Sequence, residues 1–211
     1  MRFRSRLALG ALVLAGAVGV GAGAVLHAAV RPRQTQPSLA VPALHGEAVW
    51  PSGRRPAPAF ALRDQDGRLV SLADQRGRTV LLAFMDPLCK EECPIEGRAL
   101  ALAERQVAPA ARPTLLVVNV NPKASGADAR KAARRWGISG RWHWLFGSAP
   151  ALRRVWRAYR ITVVPTTHDI LHSTAVYVID RRGDERVGLI APFLPQFVAD
   201  DLRTLAGEGR A

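Results

Sequence analysis

The sequence is poor in two residue types that often reveal a function, because 211 residues include only two cysteines and three lysines. The shortage of lysine means that the formal net charge of +13 comes from 27 arginines, which are scattered along the chain. Scattered arginines are not the clustered basic stripe of a nucleic-acid-binding domain. No helix-turn-helix, zinc-finger or RNA-binding signature accompanies them. We therefore expect no nucleic-acid partner.

The sequence also lacks internal repeats and the low apolar content of a disordered chain. Hydrophobic residues make up 48% of it, which disfavours a wholly disordered protein. A chain of this length can form one domain with a hydrophobic core and still carry shorter segments outside it.

Charge is missing from residues 7–30, although three arginines lie within residues 1–6. As a helix, this apolar segment would be about 36 Å long, enough to cross a hydrocarbon layer of about 30 Å. Leading arginines predict a cytoplasmic start, so residues 7–30 are expected to anchor the protein in the cell membrane by a single pass. The alternative is a signal peptide, with residues 22–24 offering a cleavage site of small residues. In both cases the remaining chain lies outside the cytoplasm.

Prolines divide the rest of the chain into two parts. Residues 31–58 contain six prolines and no clear apolar period, which predicts a partly extended linker. Residues 59–206 are expected to form the folded domain. Predicted strands and helices alternate there, which indicates an α/β fold with a central mixed sheet flanked by helices. The predicted strands are 60–62, 69–71, 79–85, 114–120, 174–180 and 186–191, and the predicted helices are 94–106, 127–136, 149–159 and 193–205.

The two cysteines, Cys89 and Cys93, lie between the first long buried strand and the helix that follows it. Ligands in open α/β sheets gather at such strand ends. Pro94 suits the first position of a helix, which makes Cys93 the expected N-cap and Glu96 the third residue. The helix dipole should then lower the pKa of the Cys93 thiol. Two adjacent sulfurs could chelate a soft metal, exchange disulfides or form a static crosslink.

A static crosslink would close a very short loop and stabilise the fold little. A copper site would need a third ligand, and imidazole suits copper. Five histidines are available, but His27 lies in the apolar segment and His45 in the linker, while His143 sits in an aromatic run. His168 and His172 lie in a loop that leads to the strand beginning near residue 174.

Two segments resemble the Sco/SenC family of membrane-anchored, thioredoxin-like copper proteins that assist assembly of the binuclear copper site of cytochrome c oxidase. They are FMDPLCKEECP at residues 84–94 and HSTAVYVID at residues 172–180. The resemblance extends from about residue 58 to residue 205. It implies a thioredoxin-like fold and a copper site formed by Cys89, Cys93 and His172. It also implies the copper-site subunit of a respiratory oxidase as the partner.

The chain differs from the usual family pattern at a few positions near the ligands. Lys90 and Glu91 stand where the family usually has proline and aspartate, and Leu171 stands where it has an aspartate. Residues 86–88 replace the aromatic residues that precede the first cysteine. The three ligand positions themselves are unchanged.

The main rival hypothesis is a thiol–disulfide oxidoreductase that uses Cys89 and Cys93 as a redox pair. A thiol peroxidase is a weaker rival.

A proline segment bears on the oxidoreductase hypothesis. VVPTT at residues 163–167 resembles the cis-proline segment that faces the cysteines in ordinary thioredoxins. However, the strand follows only after His172, so we interpret Pro165 as part of the loop that carries the histidine. A dithiol reductase does not need His172, whereas the copper site does.

Overall fold

The computed structural model describes residues 44–167 and 169–208. The predicted basic start at 1–6, the predicted anchor at 7–30 and residues 31–43 of the predicted linker lie outside the described residues, as does His168. None of the helices in the described part has both the length and the apolarity that a membrane span needs.

Ten strands are present in the described residues, and six of them form a central mixed sheet. The strands are β1 Ala48–Val49, β2 Ala61–Arg63, β3 Leu69–Ser71, β4 Val80–Met85, β5 Thr114–Asn119, β6 Arg141–Leu145, β7 Val163–Pro165, β8 Ile170–His172, β9 Ala175–Ile179 and β10 Glu185–Ile190. The order in the sheet is β1-β10-β9-β4-β5-β6. The pairs β4–β5 and β5–β6 are parallel, and the others are antiparallel.

Four α-helices are present in the same part of the chain. They are α1 Glu92–Arg105, α2 Gly126–Trp136, α3 Ala149–Ala158 and α4 Pro195–Glu208. Sequence patterning predicted all four to within a few residues. Helix α2 begins as its sequence suggests, because Ser125 and Asp128 form a reciprocal capping box.

The central strand β4 is buried on both faces, as its continuous apolar run predicts. Leu81 and Met85 pack on the face covered by α1, α2 and α4. Leu82 and Phe84 pack on the opposite face, which is covered by α3 and the β2–β3 hairpin. Each fully buried side chain of this size contributes about 1.5–3 kcal/mol to folding. The two cores hold the sheet rigidly, and with it the loops at its ends.

Two short hairpins, β2–β3 and β7–β8, form two-stranded sheets apart from the central sheet. Strands β2 and β3 pair with Ala61 opposite Ser71, and Gly67 takes the turn with φ +81°. The sequence predicted this hairpin. It did not predict β6, which is hidden in the aromatic run around His143, or the β7–β8 hairpin that ends at His172.

The predicted linker ends earlier than residue 58. Ala48 pairs with Gly188 in strand β10, and the Trp50 amide donates a hydrogen bond to Arg186 O at 3.0 Å. Pro56 and Asp184 form an isolated antiparallel β-bridge. The six prolines led to the prediction of a linker up to residue 58. Backbone pairing with the sheet edge instead makes residues 44–58 part of the folded domain.

Candidate metal centre

The two cysteines lie at the carboxyl end of strand β4, where the chain turns into α1. Cys89 is half-buried and Cys93 is buried, and both thiols are free. The two thiols are close enough for each to shift the pKa of the other. His172 reaches the same point from the β7–β8 hairpin, so the fold joins residues that are 79 positions apart in the chain. We call Cys89, Cys93 and His172 the cysteine edge of the sheet.

The His172 ring is oriented for ligation. Its Nδ1 lies 3.0 Å from Ser173 O, and a carbonyl oxygen can only accept, so Nδ1 carries the hydrogen. The lone pair of the neutral ring therefore sits on Nε2, which lies 3.4 Å from Cys93 Sγ. A backbone carbonyl bound to the second ring nitrogen is the usual way in which proteins orient a histidine ligand. The hairpin pairing of His172 with Val163 fixes the backbone beneath it.

Cys89 is the thiolate of the pair. Its pKa is lowered from 9.0 to about 6, first because the Cys93 thiol donates a hydrogen bond to it. Burial opposes this, while the backbone amides of Glu91, Glu92 and Cys93 lower the pKa further. These amides belong to the start of α1, where N–H groups have no intrahelical partner. Metal binding and disulfide exchange both use the thiolate form.

The expected role of Cys93 was wrong. Helix α1 begins at Glu92 with Glu91 as N-cap, so Cys93 lies inside the first turn. The pKa of its thiol is raised, because it donates a hydrogen bond to Cys89 and is buried. The helix start thus stabilises the negative charge on the half-buried sulfur of Cys89, and Cys93 holds the proton.

Two polar side chains that the sequence analysis missed hold the cysteine loop in place. Asp86 is buried at the end of β4 and accepts hydrogen bonds from Leu88 N at 2.8 Å and from Asn121 Nδ2 at 2.9 Å. Asn121 follows the neighbouring parallel strand β5. The signal was present in the sequence, since a polar residue follows each of these buried strands and parallel strands end at one edge.

Glu96 is a further residue that the sequence analysis assigned differently. We expected it to be the third residue of α1, but it is the fifth, and its side chain lies on the core side of the helix, on the same buried stripe as Cys93 and Leu100. It is 2% exposed, and neither carboxyl oxygen has a hydrogen-bond partner. Burial first, and then the negative charges of Cys89 and Glu92, raise its pKa to about 8. A neutral carboxyl group therefore lies one helical turn from the thiols.

The described histidines other than His172 have partners elsewhere. His143 Nδ1 lies 3.0 Å from Asp64 Oδ2. His45 contacts Asp201 and stacks on Phe197 with 4.8 Å between ring centroids. The structure thus brings His172, and neither of these two, to the cysteines. Pro165 is in a trans peptide bond, since the one cis bond among residues 44–167 and 169–208 joins Ala191 and Pro192.

Cys93 lies beside both of the other predicted ligands, Cys89 and His172. Within the described ranges, no group of three or more His, Cys, Asp or Glu side chains is arranged as a metal-binding cluster. The donor types nevertheless fit copper, because thiolates suit Cu(I) and imidazole suits both copper oxidation states.

A cleft and several exposed apolar side chains lie next to the cysteine edge, although none of its three residues lines the cleft. The cleft has a volume of about 410 Å³ and lies between the cysteine loop, the start of the β5–α2 loop and the β7–β8 hairpin. Three large apolar side chains beside the ligands are exposed: Leu88 at 44%, Ile95 at 55% and Leu171 at 61%. Such an apolar surface around a reactive site is typical of a protein-docking region.

One curated relative and two solved structures place the chain among known proteins. The SCO2 homolog of Bos taurus mitochondria is 31% identical over 135 residues, which is 59% of this chain and about half the length of that protein. Arabidopsis thaliana ScoI, solved with copper bound, is 18% identical with a TM-score of 0.65. The alignment covers 72% of this chain and 98% of that one.

The second structure is BsSco, described as a member of the Sco family of cytochrome c oxidase assembly proteins that has a disulfide switch. It is 17% identical, its TM-score is 0.61, and the alignment covers 76% of this chain and 98% of that one. Both structures confirm the predicted thioredoxin-like α/β fold. The SCO1/SenC family model matches residues 51–206, well over half of the sequence. The chain therefore belongs to the SCO1/SenC family.

Proposed function

We propose that this protein is an extracytoplasmic copper-binding accessory protein that delivers or prepares copper for the binuclear copper site of a cytochrome c oxidase. The observation that carries the proposal is the approach of Cys93 Sγ to His172 Nε2 at 3.4 Å, with Cys89 close enough to Cys93 for each thiol to shift the pKa of the other. Copper is the cargo of this site. Membership of the SCO1/SenC family and the copper found in the Arabidopsis structure support the same assignment.

The chemistry of the three donors supports a site that can both take up and release copper. The Cys89 thiolate is available near neutral pH without a base, because its pKa is about 6. Cys93 has to lose a proton when metal binds, since ligation needs the thiolate. His172 supplies a neutral nitrogen that suits Cu(II) as well as Cu(I).

The proposed location follows from the sequence outside the described residues. Leading arginines and the apolar segment at 7–30 favour a single membrane anchor with the copper-binding domain outside the cytoplasm. The copper-site subunit of the oxidase is the proposed partner, and the apolar rim of Leu88, Ile95 and Leu171 supports a protein contact beside the ligands.

A transfer experiment tests the proposal. The full chain, loaded with copper under anaerobic conditions, is mixed with the purified apo copper-site subunit of the oxidase, and the visible absorption of the binuclear centre is recorded. We expect the wild type and His143→Ala to transfer copper, and His172→Ala to fail. Equal transfer by His172→Ala and wild type would refute the proposed site.

A second function, reduction of the client's disulfide, is favoured by the unequal thiols. The Cys89 thiolate would attack a client sulfur and release the other client sulfur as a thiolate. Cys93 would then lose its proton and attack Cys89 Sγ, which leaves an internal disulfide and a reduced client. Single-turnover reduction of a disulfide-bonded client peptide by His172→Ala distinguishes this activity, since the step does not use the imidazole.

A further inference from the structure

Four arginines that are far apart in the sequence gather at the edge of the sheet opposite the cysteines. Strands β4, β5 and β6 are parallel and start at the same edge, because Thr114 is the register partner of both Val80 and Arg141. Arg78 and Arg112 each lie two residues before a strand, and Arg141 is the first residue of β6. Antiparallel strand β9 ends at this edge and adds the fourth. We call Arg78, Arg112, Arg141 and Arg181 the arginine edge.

The arginine edge lines a pocket of about 130 Å³. The other lining residues are uncharged and small: Gly77, Thr79, Pro109, Ala110, Ala111 and Ala206. No carboxylate is among the lining residues. The pocket thus combines a high density of positive charge with walls that let a ligand approach the guanidinium groups.

The guanidinium groups of the arginine edge are short of partners. Arg181 Nε donates to Gly77 O at 2.9 Å. Within residues 44–167 and 169–208, the side chains of Arg78, Arg112 and Arg141 form neither a hydrogen bond nor an ion pair. The charge of Glu104 interacts with that of Arg112, but Glu104 does not line the pocket.

Some arginines elsewhere in the described residues have carboxylate partners. Arg55 pairs with Glu185, Arg130 pairs with Asp66, and Arg186 pairs with Glu208. Four like charges around one small pocket repel each other, and this repulsion is relieved when an anion binds between them. Four of the scattered arginines therefore form one concentrated site after folding.

We propose that the arginine edge binds a phosphate group. The planar guanidinium presents pairs of N–H donors that match phosphate oxygens bidentately, and several arginines can share one tetrahedral anion. The phosphate could belong to the headgroup of an anionic phospholipid or be free inorganic phosphate. The site is separate from the copper function, because six residues of β4 place it about 20 Å from the cysteine edge.

Calorimetric titration of the full chain in neutral detergent tests the proposal. One arm uses inorganic phosphate, and the other uses mixed micelles that contain phosphatidylglycerol, with phosphatidylcholine micelles as reference. We compare the double variant Arg112→Gln/Arg141→Gln with Arg153→Gln/Arg154→Gln, which removes the same charge from exposed positions on α3. We expect the first variant to bind phosphate at least about tenfold more weakly than wild type, and the second to bind within about twofold of it.

Each outcome bears on the proposal. Weakening by the pocket variant in either arm supports it, and the arm that responds identifies the source of the phosphate. Equal weakening by both variants would show diffuse attraction to a basic surface and overturn it, as would no binding by the wild type. Copper stoichiometry reports whether each variant is folded. Arg112→Lys/Arg141→Lys, which keeps the charge but loses the bidentate geometry, should bind with intermediate affinity.

Discussion

The two ends of strand β4 lead to opposite chemistry on the same rigid sheet. Its carboxyl end leads to the cysteine edge, where hydrogen bonds hold the loop and the histidine: Asp86 accepts from Leu88 and Asn121, and Ser173 O accepts from His172. Its amino end leads to the arginine edge, where three guanidinium groups form neither a hydrogen bond nor an ion pair with the described residues. The comparison indicates that the cysteine edge is organised in advance around its donors, whereas the arginine edge is electrostatically incomplete.

The largest expected effect of a single substitution is loss of copper at the cysteine edge. Cys93→Ser should weaken Cu(I) binding by about a thousandfold, or about 4 kcal/mol, because no other cysteine can replace this sulfur. Arg141→Gln, at the other end of the sheet, should leave the affinity within about twofold. Competition with a Cu(I) chelator under anaerobic conditions measures both. A similar loss in the two variants would show that the edges are not independent.

Selective alkylation tests how the proton is divided between the two thiols. The rate of iodoacetamide reaction at Cys89 should rise with a midpoint near pH 6, since the thiolate forms there. Cys93 should stay unmodified, because it is buried and its pKa is raised. Mass spectrometry of the metal-free protein after timed reaction identifies the modified residue. Faster reaction at Cys93 would reverse our assignment of the thiolate.

The buried carboxyl group near the thiols should make stability depend on pH. Glu96 has a pKa of about 8 in the folded protein and 4.5 as its ordinary value. The native state therefore holds a proton that the unfolded state has lost, and stability falls as the pH rises from about 4.5 to about 8. A shift of this size corresponds to a few kcal/mol.

Glu96→Gln should remove this dependence and raise the free energy of unfolding at pH 8. Urea unfolding followed by tryptophan fluorescence at pH 5 and pH 8 measures the effect. Glu92→Gln, which changes an exposed acid one turn earlier, should leave most of the dependence in place. If Glu96→Gln destabilised the protein equally at both pH values, the carboxyl would have a partner or a solvent contact that our account omits.

The polar groups of the two edges should differ in what they contribute to stability. Asn121→Ala removes the donor to buried Asp86 and should cost about 1–3 kcal/mol, because it leaves a buried acceptor unpaired. Thr114→Val at the arginine edge replaces a buried hydroxyl that has no partner, so the expected change is within about 0.5 kcal/mol or stabilising. Thermal unfolding compares them, and equal costs would contradict the contrast between the edges.

Sequence patterning was sufficient for the elements with strong periodicity. Continuous apolar runs predict the buried strands β4 and β5. The Asp66-Gly67 pair predicts the turn of the β2–β3 hairpin. Sequence patterning missed β6, because Arg141 and His143 interrupt its apolar pattern. It also missed β7 and β8, because each has only three residues. Strand β1 was missed because backbone pairing, which side chains do not encode, attaches it to β10.

The candidate ligands could be predicted from the sequence, but the protonation states of the two thiols could not. Resemblance to a family identified His172, and spacing drew attention to Cys89 and Cys93. Which sulfur carries the proton depends on where α1 begins and on which thiol is buried in the core. The helix begins two residues earlier than predicted, and the thiolate is therefore assigned to Cys89 and not to Cys93. The burial of Glu96 is equally a consequence of how α1 packs, since glutamate is almost never fully buried unless it is paired.

X-ray absorption spectroscopy at the copper edge tests the central claim most directly. The copper-loaded full chain should show two sulfur ligands and one imidazole nitrogen, and His172→Ala should lose the imidazole scattering while both sulfurs remain. His143→Ala should give the wild-type spectrum. An imidazole signal that persists in His172→Ala, or a spectrum with a single sulfur, would contradict a copper site built from Cys89, Cys93 and His172.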